Sequence, residues 1–212
     1  LLKGGGLVKE LYPAQVVSLI FSDVPGDEFK YIASGPTYKD TTTIADAQAI
    51  LDKYNLEGYE LNETPKEDKY FERVTNIPVV TNTDALTAMK NKAASLGLPV
   101  EILSAEMYDS PEQVARKILQ ACQPGTVILA GGEPQAVITN PNGTGGRCQR
   151  VGIEMLSLLG EGDVFAAVAS DGLDNSAVAG VIEDGSAYQS ALAAGLDIAN
   201  YIAKWDSLTF FQ

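Results

Sequence analysis

The chain has 212 residues, of which 15 are basic and 28 are acidic, giving a formal net charge of −13, and it contains no histidine. The acidic balance disfavours nucleic acid as a partner, because phosphate backbones are bound by basic surfaces. The lack of histidine excludes a Ser-His-Asp triad, a Cys-His dyad and a histidine-ligated zinc within this chain.

The two cysteines, Cys122 and Cys148, lie far apart and lack the spacing of a disulfide framework or a cysteine zinc site. Reduced thiols of this kind fit a cytosol. No apolar run approaches the roughly 18 residues that a membrane span needs, and no basic, apolar leader opens the chain. We therefore expect a cytoplasmic protein with no membrane partner.

Hydrophobic periodicity predicts strands that alternate with helices. In chain order it predicts a strand at 16–21, a helix at 43–54, a strand at 77–81, a helix at 84–95, a strand at 99–103, a helix after Ser110, strands at 126–130 and 135–139, a helix at 147–159, a strand at 164–169 and helical residues 187–204. The buried helix faces are predicted to contain Ile44, Ala47, Leu51 and Tyr54, then Leu86, Met89 and Ala93, and then Val114, Ile118 and Cys122.

The helix after Ser110 has the clearest start signal in the chain. Ser110 suits the N-cap, Pro111 suits the first turn, and Gln113 completes a capping box. Threonines before residue 44 offer a similar cap for the helix at 43–54.

The alternation of strands and helices predicts an α/β fold with a mainly parallel sheet. Residues 57–76 are polar and interrupted by Pro65, so they are the best candidate for a domain boundary. Three polar loops, at 22–27, 131–133 and 170–175, directly follow apolar strands. Ligands of such sheets bind beyond the carboxyl ends of the strands, so these loops are expected to open toward a common cleft.

A glycine cluster at 143–146 precedes Arg147 and a predicted helix. Glycines let the backbone approach an anion, and a helix N-terminus offers N–H groups and a positive dipole end. Arg147 adds a planar, permanently charged guanidinium that suits phosphate or carboxylate. The alternative is a hairpin turn whose glycines only satisfy the backbone angles.

Two acidic loops also follow predicted strands. Asp171 and Asp174 can hold Mg²⁺ through water or accept a proton from a substrate hydroxyl, and Asp23 and Asp27 form a similar loop. The alternative for both loops is local turn chemistry.

Residues 34–37 and 131–133 give weaker signals that are equally typical of turns. Cys148 at a helix start could have a lowered pKa, but without a histidine partner a small buried residue is the better interpretation. Together the acidic loops, the glycines and the arginine favour magnesium-dependent handling of phosphate, a chemistry of positioning and charge neutralisation.

At these residues the sequence resembles the glycerate kinases of the class with a leucine-rich C-terminal domain, whose members are often labelled hydroxypyruvate reductase. The matching stretches recur in order over nearly the whole chain, at residues 3–5, 22–27, 32–37, 131–133, 143–149 and 171–174. The resemblance implies a two-domain enzyme with its active site between the domains. Residues 1–70 would be the C-terminal part of a Rossmann-like N-terminal domain, which the chain is expected to enter partway. Residues 71–212 would be the C-terminal α/β domain without its last strand.

The resemblance also implies ATP, Mg²⁺ and glycerate as ligands, with D-glycerate converted to 2-phosphoglycerate and the 3-hydroxyl left open. Arg147 would bind the substrate or the transferring phosphate, and Asp171 would orient or deprotonate the attacking hydroxyl. The residues expected to line the substrate and nucleotide sites are Ser22, Asp23, Gly26, Asp27, Ser34, Gly35, Thr37, Gly131, Gly132, Glu133, Gly145, Gly146 and Asp174. No metal ligand is assigned, and a homodimer is one option for the assembly.

Cys148 and Arg150 stand where the family usually has Asn and Glu, and Asn175 replaces a usual Gly, which leaves the exact substrate open. Two other functions are also open. An NAD(P)H-dependent hydroxypyruvate reductase would need a dinucleotide fingerprint, which we do not find. An inactive module would bind anions without turnover.

Overall fold

The computed structural model describes residues 2–22, 24 and 28–212. The strands are β1 (Val16–Phe21), β2 (Val74–Val80), β3 (Val100–Met107), β4 (Val127–Gly132), β5 (Val164–Val168) and β6 (Gly180–Asp184). The α-helices are α1 (Gly6–Leu11), α2 (Ile44–Lys53), α3 (Asn82–Ser95), α4 (Pro111–Ala121), α5 (Arg147–Met155), α6 (Ala187–Ala193), α7 (Ile198–Lys204) and α8 (Ser207–Phe211). Short 3₁₀ helices span Phe29–Ser34 and Asp68–Tyr70. None of the helices in these residues is both long and apolar enough to cross a membrane.

The strands pair in twos within the described residues. β1 pairs with β2 and β3 with β4, both in parallel, whereas β5 pairs with β6 in antiparallel register. The predicted α/β fold with parallel pairing is therefore confirmed. β6 was not predicted, because its short run contains two acidic residues, and it adds the antiparallel pair. The Rossmann-like assignment stays a prediction.

The chain divides into two compact units, Leu1–Asp84 and Ala85–Gln212. In the first unit, a long connection that contains α2 joins the parallel strands β1 and β2. Thr43 caps α2 and exchanges a capping box with Asp46, as the threonine signal predicted. The exposed connection was predicted at residues 57–76. Residues 57–67 form neither helix nor strand, but the last residues of that range belong to β2, which begins at Val74.

Helix α5 is the centre of the second unit. Val151 and Met155 on one side of it pack in a cluster with residues of β3, α4 and β5. Ile153 and Leu156 pack in another cluster with Ala191 and the C-terminal aromatic rings. Because α5 is buried on two sides, the position of its first turn is determined by the core.

Several local predictions are confirmed and several are wrong. The capping box of Ser110 and Gln113 starts α4 as predicted. Residues 135–139 do not form a strand, the helix from Arg147 ends at Met155, and the predicted helix 187–204 is interrupted at residues 194–197. Four residues predicted to be buried are exposed, namely Ile44, Tyr54, Met89 and Cys122.

Candidate active site

The N-terminus of α5 receives a carboxylate from a loop distant in sequence. Asp174 lies in the loop between β5 and β6 and is only 4% exposed. Its Oδ1 accepts the N–H of Cys148 at 3.0 Å, and its Oδ2 accepts the N–H of Gln149 at 2.7 Å. The side chain therefore caps α5, where a negative charge is stabilised by the helix dipole.

This cap changes the interpretation of the glycine cluster. A Cβ on Gly146 would lie 2.1 Å from Oδ1 of Asp174, and a Cβ on Gly145 would lie 2.3 Å from Oγ of Ser207. Gly145 also has a φ of +112°, which favours glycine. The glycines let the protein's own groups approach, and the N–H groups of Cys148 and Gln149 are occupied by Asp174.

Arg147, the first residue of α5, forms an ion pair with Glu133. Its Nη1 lies 3.0 Å from Oε1 of Glu133, and the two side chains are 51% and 49% exposed. Glu133 directly follows β4, so two residues that the sequence singled out separately are in contact. The guanidinium is thus held at the helix start and is accessible to a ligand.

Asp171 lies in the same loop as Asp174 and is exposed. Its Oδ1 accepts the N–H of Leu173 at 3.0 Å, which is the local turn chemistry anticipated for this loop. Asn175 has a φ of +49°, a conformation that Asn tolerates better than most residues, and its Nδ2 donates to the carbonyl oxygen of Gly145 at 3.4 Å. The loop is therefore fixed to the glycine cluster by Asp174 and Asn175.

The pKa of the Cys148 thiol depends on the charged side chains around it. Burial, the charge of Asp174 and a hydrogen bond to Asp174 raise the pKa of Cys148 to about 12. Arg147 opposes this pKa shift and Asp171 adds to it. The raised pKa favours the neutral thiol, and Cys148 is half-buried rather than fully buried.

Gly131 and Gly132 end β4, and Gly132 pairs with Met107 at the end of β3. The carboxyl ends of these two parallel strands thus lie at one edge, and Glu133 follows directly. Glu133 and its ion-pair partner Arg147 therefore lie next to the carboxyl ends of these strands, and the position of the ligand site stays a prediction.

The remaining predicted site residues belong to the first unit. Ser22 and Thr37 are buried, and the hydroxyl of Thr37 donates to Oδ1 of Asn76 on β2 at 2.6 Å. Ser34 is exposed, Gly35 is buried, and their carbonyl oxygens accept the N–H groups of Gly4 and Gly5 respectively. The other residues predicted in this unit, Asp23, Gly26 and Asp27, lie outside the described residues.

Sequence reasoning missed three further features of the second unit. Arg150 is 11% exposed, forms an ion pair with Glu154 and stacks on Trp205, and Asp206 accepts hydrogen bonds from Thr144. Glu183 is 7% exposed and, within the described residues, neither of its carboxylate oxygens has a hydrogen-bond partner. No motif marks these contacts, since Thr144 and Asp206, for example, lie 62 positions apart in the sequence.

The described residues bring no group of three or more Cys, Asp or Glu side chains close enough to hold a metal ion. Glu133 is paired with Arg147, Asp174 is used by the helix cap, and Asp171 is exposed. The acidic residues described here therefore do not form a Mg²⁺ ligand set.

Comparison with known proteins identifies relatives for both units. Residues 1–66 match a family model described as a domain of unknown function, DUF4147, and residues 126–212 match the MOFRL family. A glycerate kinase of Danio rerio is 33% identical over 284 residues, covering 100% of this chain and 56% of that protein. A D-glycerate 2-kinase of Thermotoga maritima is 32% identical over 225 residues, covering 97% of this chain and 53% of that protein.

The crystal structure of a glycerate kinase from Thermotoga maritima superposes on 99% of this chain and 54% of its own, with a TM-score of 0.78 and 29% identity. The chain spans about half the length of most curated relatives that it matches. It spans more of the glycerate kinase of Macaca fascicularis, which is 32% identical over 273 residues, with 99% of this chain and 69% of that protein covered. These relationships in sequence and structure establish that the chain belongs to the glycerate kinase family.

Proposed function

We propose that the protein to which this chain belongs is an ATP-dependent kinase that phosphorylates D-glycerate at its 2-hydroxyl to give 2-phosphoglycerate. The observation that carries the proposal is the exposed guanidinium of Arg147 at the N-terminus of α5, the same helix end that Asp174, three residues after Asp171, caps. The name of the Thermotoga maritima relative, D-glycerate 2-kinase, supports the choice of hydroxyl.

Arg147 would bind the anionic part of the substrate or the transferring phosphoryl group. In a chain with a net charge of −13, an anionic ligand needs local positive charge to overcome the general field. A guanidinium keeps its charge at all relevant pH values and can donate two parallel hydrogen bonds to one anion. Glu133 would orient this side chain before the ligand binds, through the 3.0 Å ion pair.

Asp171 would accept the proton of the attacking hydroxyl. Its Oδ1 is used by the turn to Leu173, so the proposed acceptor is Oδ2. In this step the hydroxyl oxygen forms a bond to the γ-phosphorus, and the bond from that phosphorus to the bridging oxygen breaks. ADP leaves with the electron pair, and the hydroxyl proton passes to the carboxylate.

ATP carries the phosphoryl group, and Mg²⁺ neutralises phosphate charge in reactions of this kind. Because the described acidic residues do not form a ligand set for the ion, we assign no Mg²⁺ ligand and derive no step through it. We propose only that Mg²⁺ enters with the nucleotide, whose phosphate oxygens commonly supply part of its coordination.

The finer assignments from the sequence are part of the same proposal. They are the class with a leucine-rich C-terminal domain, the Rossmann-like character of residues 1–70, the C-terminal domain at 71–212 and the cytoplasmic location. Among the candidate residues of the first unit that the structure describes, Ser34 is exposed, whereas Thr37 has its hydroxyl committed to Asn76.

The test is to incubate the full-length gene product with ATP, Mg²⁺ and D-glycerate and to identify the product by ³¹P NMR. We expect 2-phosphoglycerate. The appearance of 3-phosphoglycerate alone would correct the position of transfer, and no phosphorylated product at any substrate concentration would overturn the proposal. A parallel assay of NADH absorbance with hydroxypyruvate tests the reductase alternative.

A further inference from the structure

The segment from Lys204 to residue 209 holds the glycine loop that precedes Arg147. Asn140 Nδ2 donates to the carbonyl oxygen of Lys204 at 3.1 Å, and the N–H of Leu208 donates to the carbonyl oxygen of Thr144 at 3.0 Å. A Cβ on Gly143 would lie 2.2 Å from the carbonyl oxygen of Lys204. The loop and this C-terminal segment, which lie about 60 residues apart, are therefore packed backbone against backbone.

Asp206 is the centre of this contact. Its Oδ1 accepts the hydroxyl of Thr144 at 2.5 Å, the N–H of Thr144 at 3.3 Å and the hydroxyl of Thr209 at 2.8 Å. The hydrogen bond from the Thr144 hydroxyl is the largest cause that lowers the pKa of Asp206, so the ionised form is the one that these donors stabilise. Thr144 precedes Arg147 by three residues, and the carboxylate fixes both its backbone and its side chain.

Residues next to and within this segment also contact α5 beyond Arg147 in the sequence. Arg150, on the second turn of α5, places its guanidinium 4.2 Å from the ring centroid of Trp205 and donates from Nη1 to the carbonyl oxygen of Ile202 at 2.5 Å. The indole N–H of Trp205 in turn donates to Oγ1 of Thr139 at 3.1 Å. The backbone before Arg147 and the helix after it thus both contact residues 202–209.

We infer that Asp206, through Thr144, is a positioning residue that sets the place of the Arg147 guanidinium. The inference rests on the proposed function, because it assigns to Asp206 the alignment of the residue that binds the anion. The proposed role of Asp206 is indirect and involves no contact with the ligand. Its effect is on the loop, where a displacement of about 1 Å is enough to cost roughly 100-fold in rate.

The test compares Asp206→Ala, Thr144→Val and Thr144→Ser with the control Asp184→Ala. Asp184 lies in the same unit, and its Oδ1 accepts the N–H and hydroxyl of Ser186 at 2.8 and 2.6 Å, so it has similar local bonding away from the loop. For Asp206→Ala and Thr144→Val we expect kcat/KM for glycerate to fall by ~10-fold or more, while the Tm falls no further than in the control. Thr144→Ser keeps the hydroxyl, and we expect it to retain activity within about threefold.

A second readout does not depend on turnover. Phenylglyoxal modifies accessible arginines, so the labelling rate of Arg147, followed by mass spectrometry, is measured with and without inorganic phosphate. We expect phosphate to protect Arg147 in the wild-type protein and in Asp184→Ala, and to protect it clearly less in Asp206→Ala. Equal protection in Asp206→Ala and Asp184→Ala would overturn the inference. An inactive wild type with intact phosphate protection would instead count against the proposed kinase reaction alone.

Discussion

Oε1 of Glu133 lies 3.0 Å from Nη1 of Arg147, so the strand end after β4 holds the cation at the start of α5. An equivalent pair, Arg116 and Glu112 at 2.9 Å, lies within α4 and is similarly exposed. The second pair has the same chemistry but does not lie at the start of α5, so it provides a matched control for the first.

We predict that Arg147→Ala lowers kcat/KM for glycerate phosphorylation by roughly 100-fold or more, because a charge that stabilises the transition state is lost. Arg116→Ala is expected to leave kcat/KM within about twofold, since surface ion pairs contribute little. Steady-state kinetics of the full-length gene product measure both. Equal effects of the two substitutions would show that Arg147 has no role in the reaction.

We predict that Asp174→Ala destabilises the protein by about 1–3 kcal/mol, because two buried N–H groups at the start of α5 lose their acceptor. Asp174→Asn keeps one carbonyl oxygen and is expected to cost less. Urea unfolding gives these free energies. Asp197→Ala is the comparison, because its exposed side chain accepts a single N–H at the start of α7, and a loss as large as that of Asp174→Ala would contradict the prediction.

We predict that the buried carboxyl group of Glu183 makes the stability of the protein depend on pH. Burial raises the pKa of Glu183 to about 8 from 4.5, so the folded state keeps its proton where the unfolded state has lost it. Stability from this group is complete below pH 4.5 and is lost as the pH rises toward 8. We expect Glu183→Gln to remove this pH dependence. Between pH 5 and pH 8 the free energy of unfolding of the wild type should therefore fall relative to that of the variant.

Chemical denaturation at several pH values measures the difference between the two proteins. The control is Glu101→Gln, which changes an exposed glutamate on β3. If Glu183→Gln and Glu101→Gln follow the same pH profile, then Glu183 is not the source of the effect.

We predict that the two cysteines differ in reactivity. Cys122 is exposed, whereas burial raises the pKa of Cys148 to about 12 and keeps its thiol protonated. Titration of the native protein with a thiol reagent at pH 8 should therefore modify Cys122 first, and unfolding should release Cys148. Cys122→Ser should abolish the rapid phase, and a rapid phase that survives this substitution would place a reactive thiolate at Cys148.

The sequence predicted the elements whose signals are local. The capping boxes of α2 and α4 and the bounds of β1 follow from residues within a few positions of each other. The contacts that organise the site are not local, since Asp174 caps α5 from 26 positions away and Asp206 binds Thr144 from 62 positions away. The glycine cluster was recognised as a place of close approach, but the approaching groups, Asp174 and Ser207, could not be read from the spacing.

Burial was also difficult to predict where a helix has a weak apolar face. Met89 on α3 has helical spacing with Leu86 and Ala93, yet the structure buries only the latter two. Periodicity identifies a face, and the neighbours that cover it are set by the tertiary fold.

The enclosure of α5 between its two clusters has a consequence for ligand affinity. Because α5 is packed on two sides by these clusters, a ligand at Arg147 would not need to order the helix, and the conformational entropy lost on binding would come mainly from the guanidinium side chain. The remaining cost to a ligand anion would be the loss of solvent and of part of the Glu133 ion pair at this arginine.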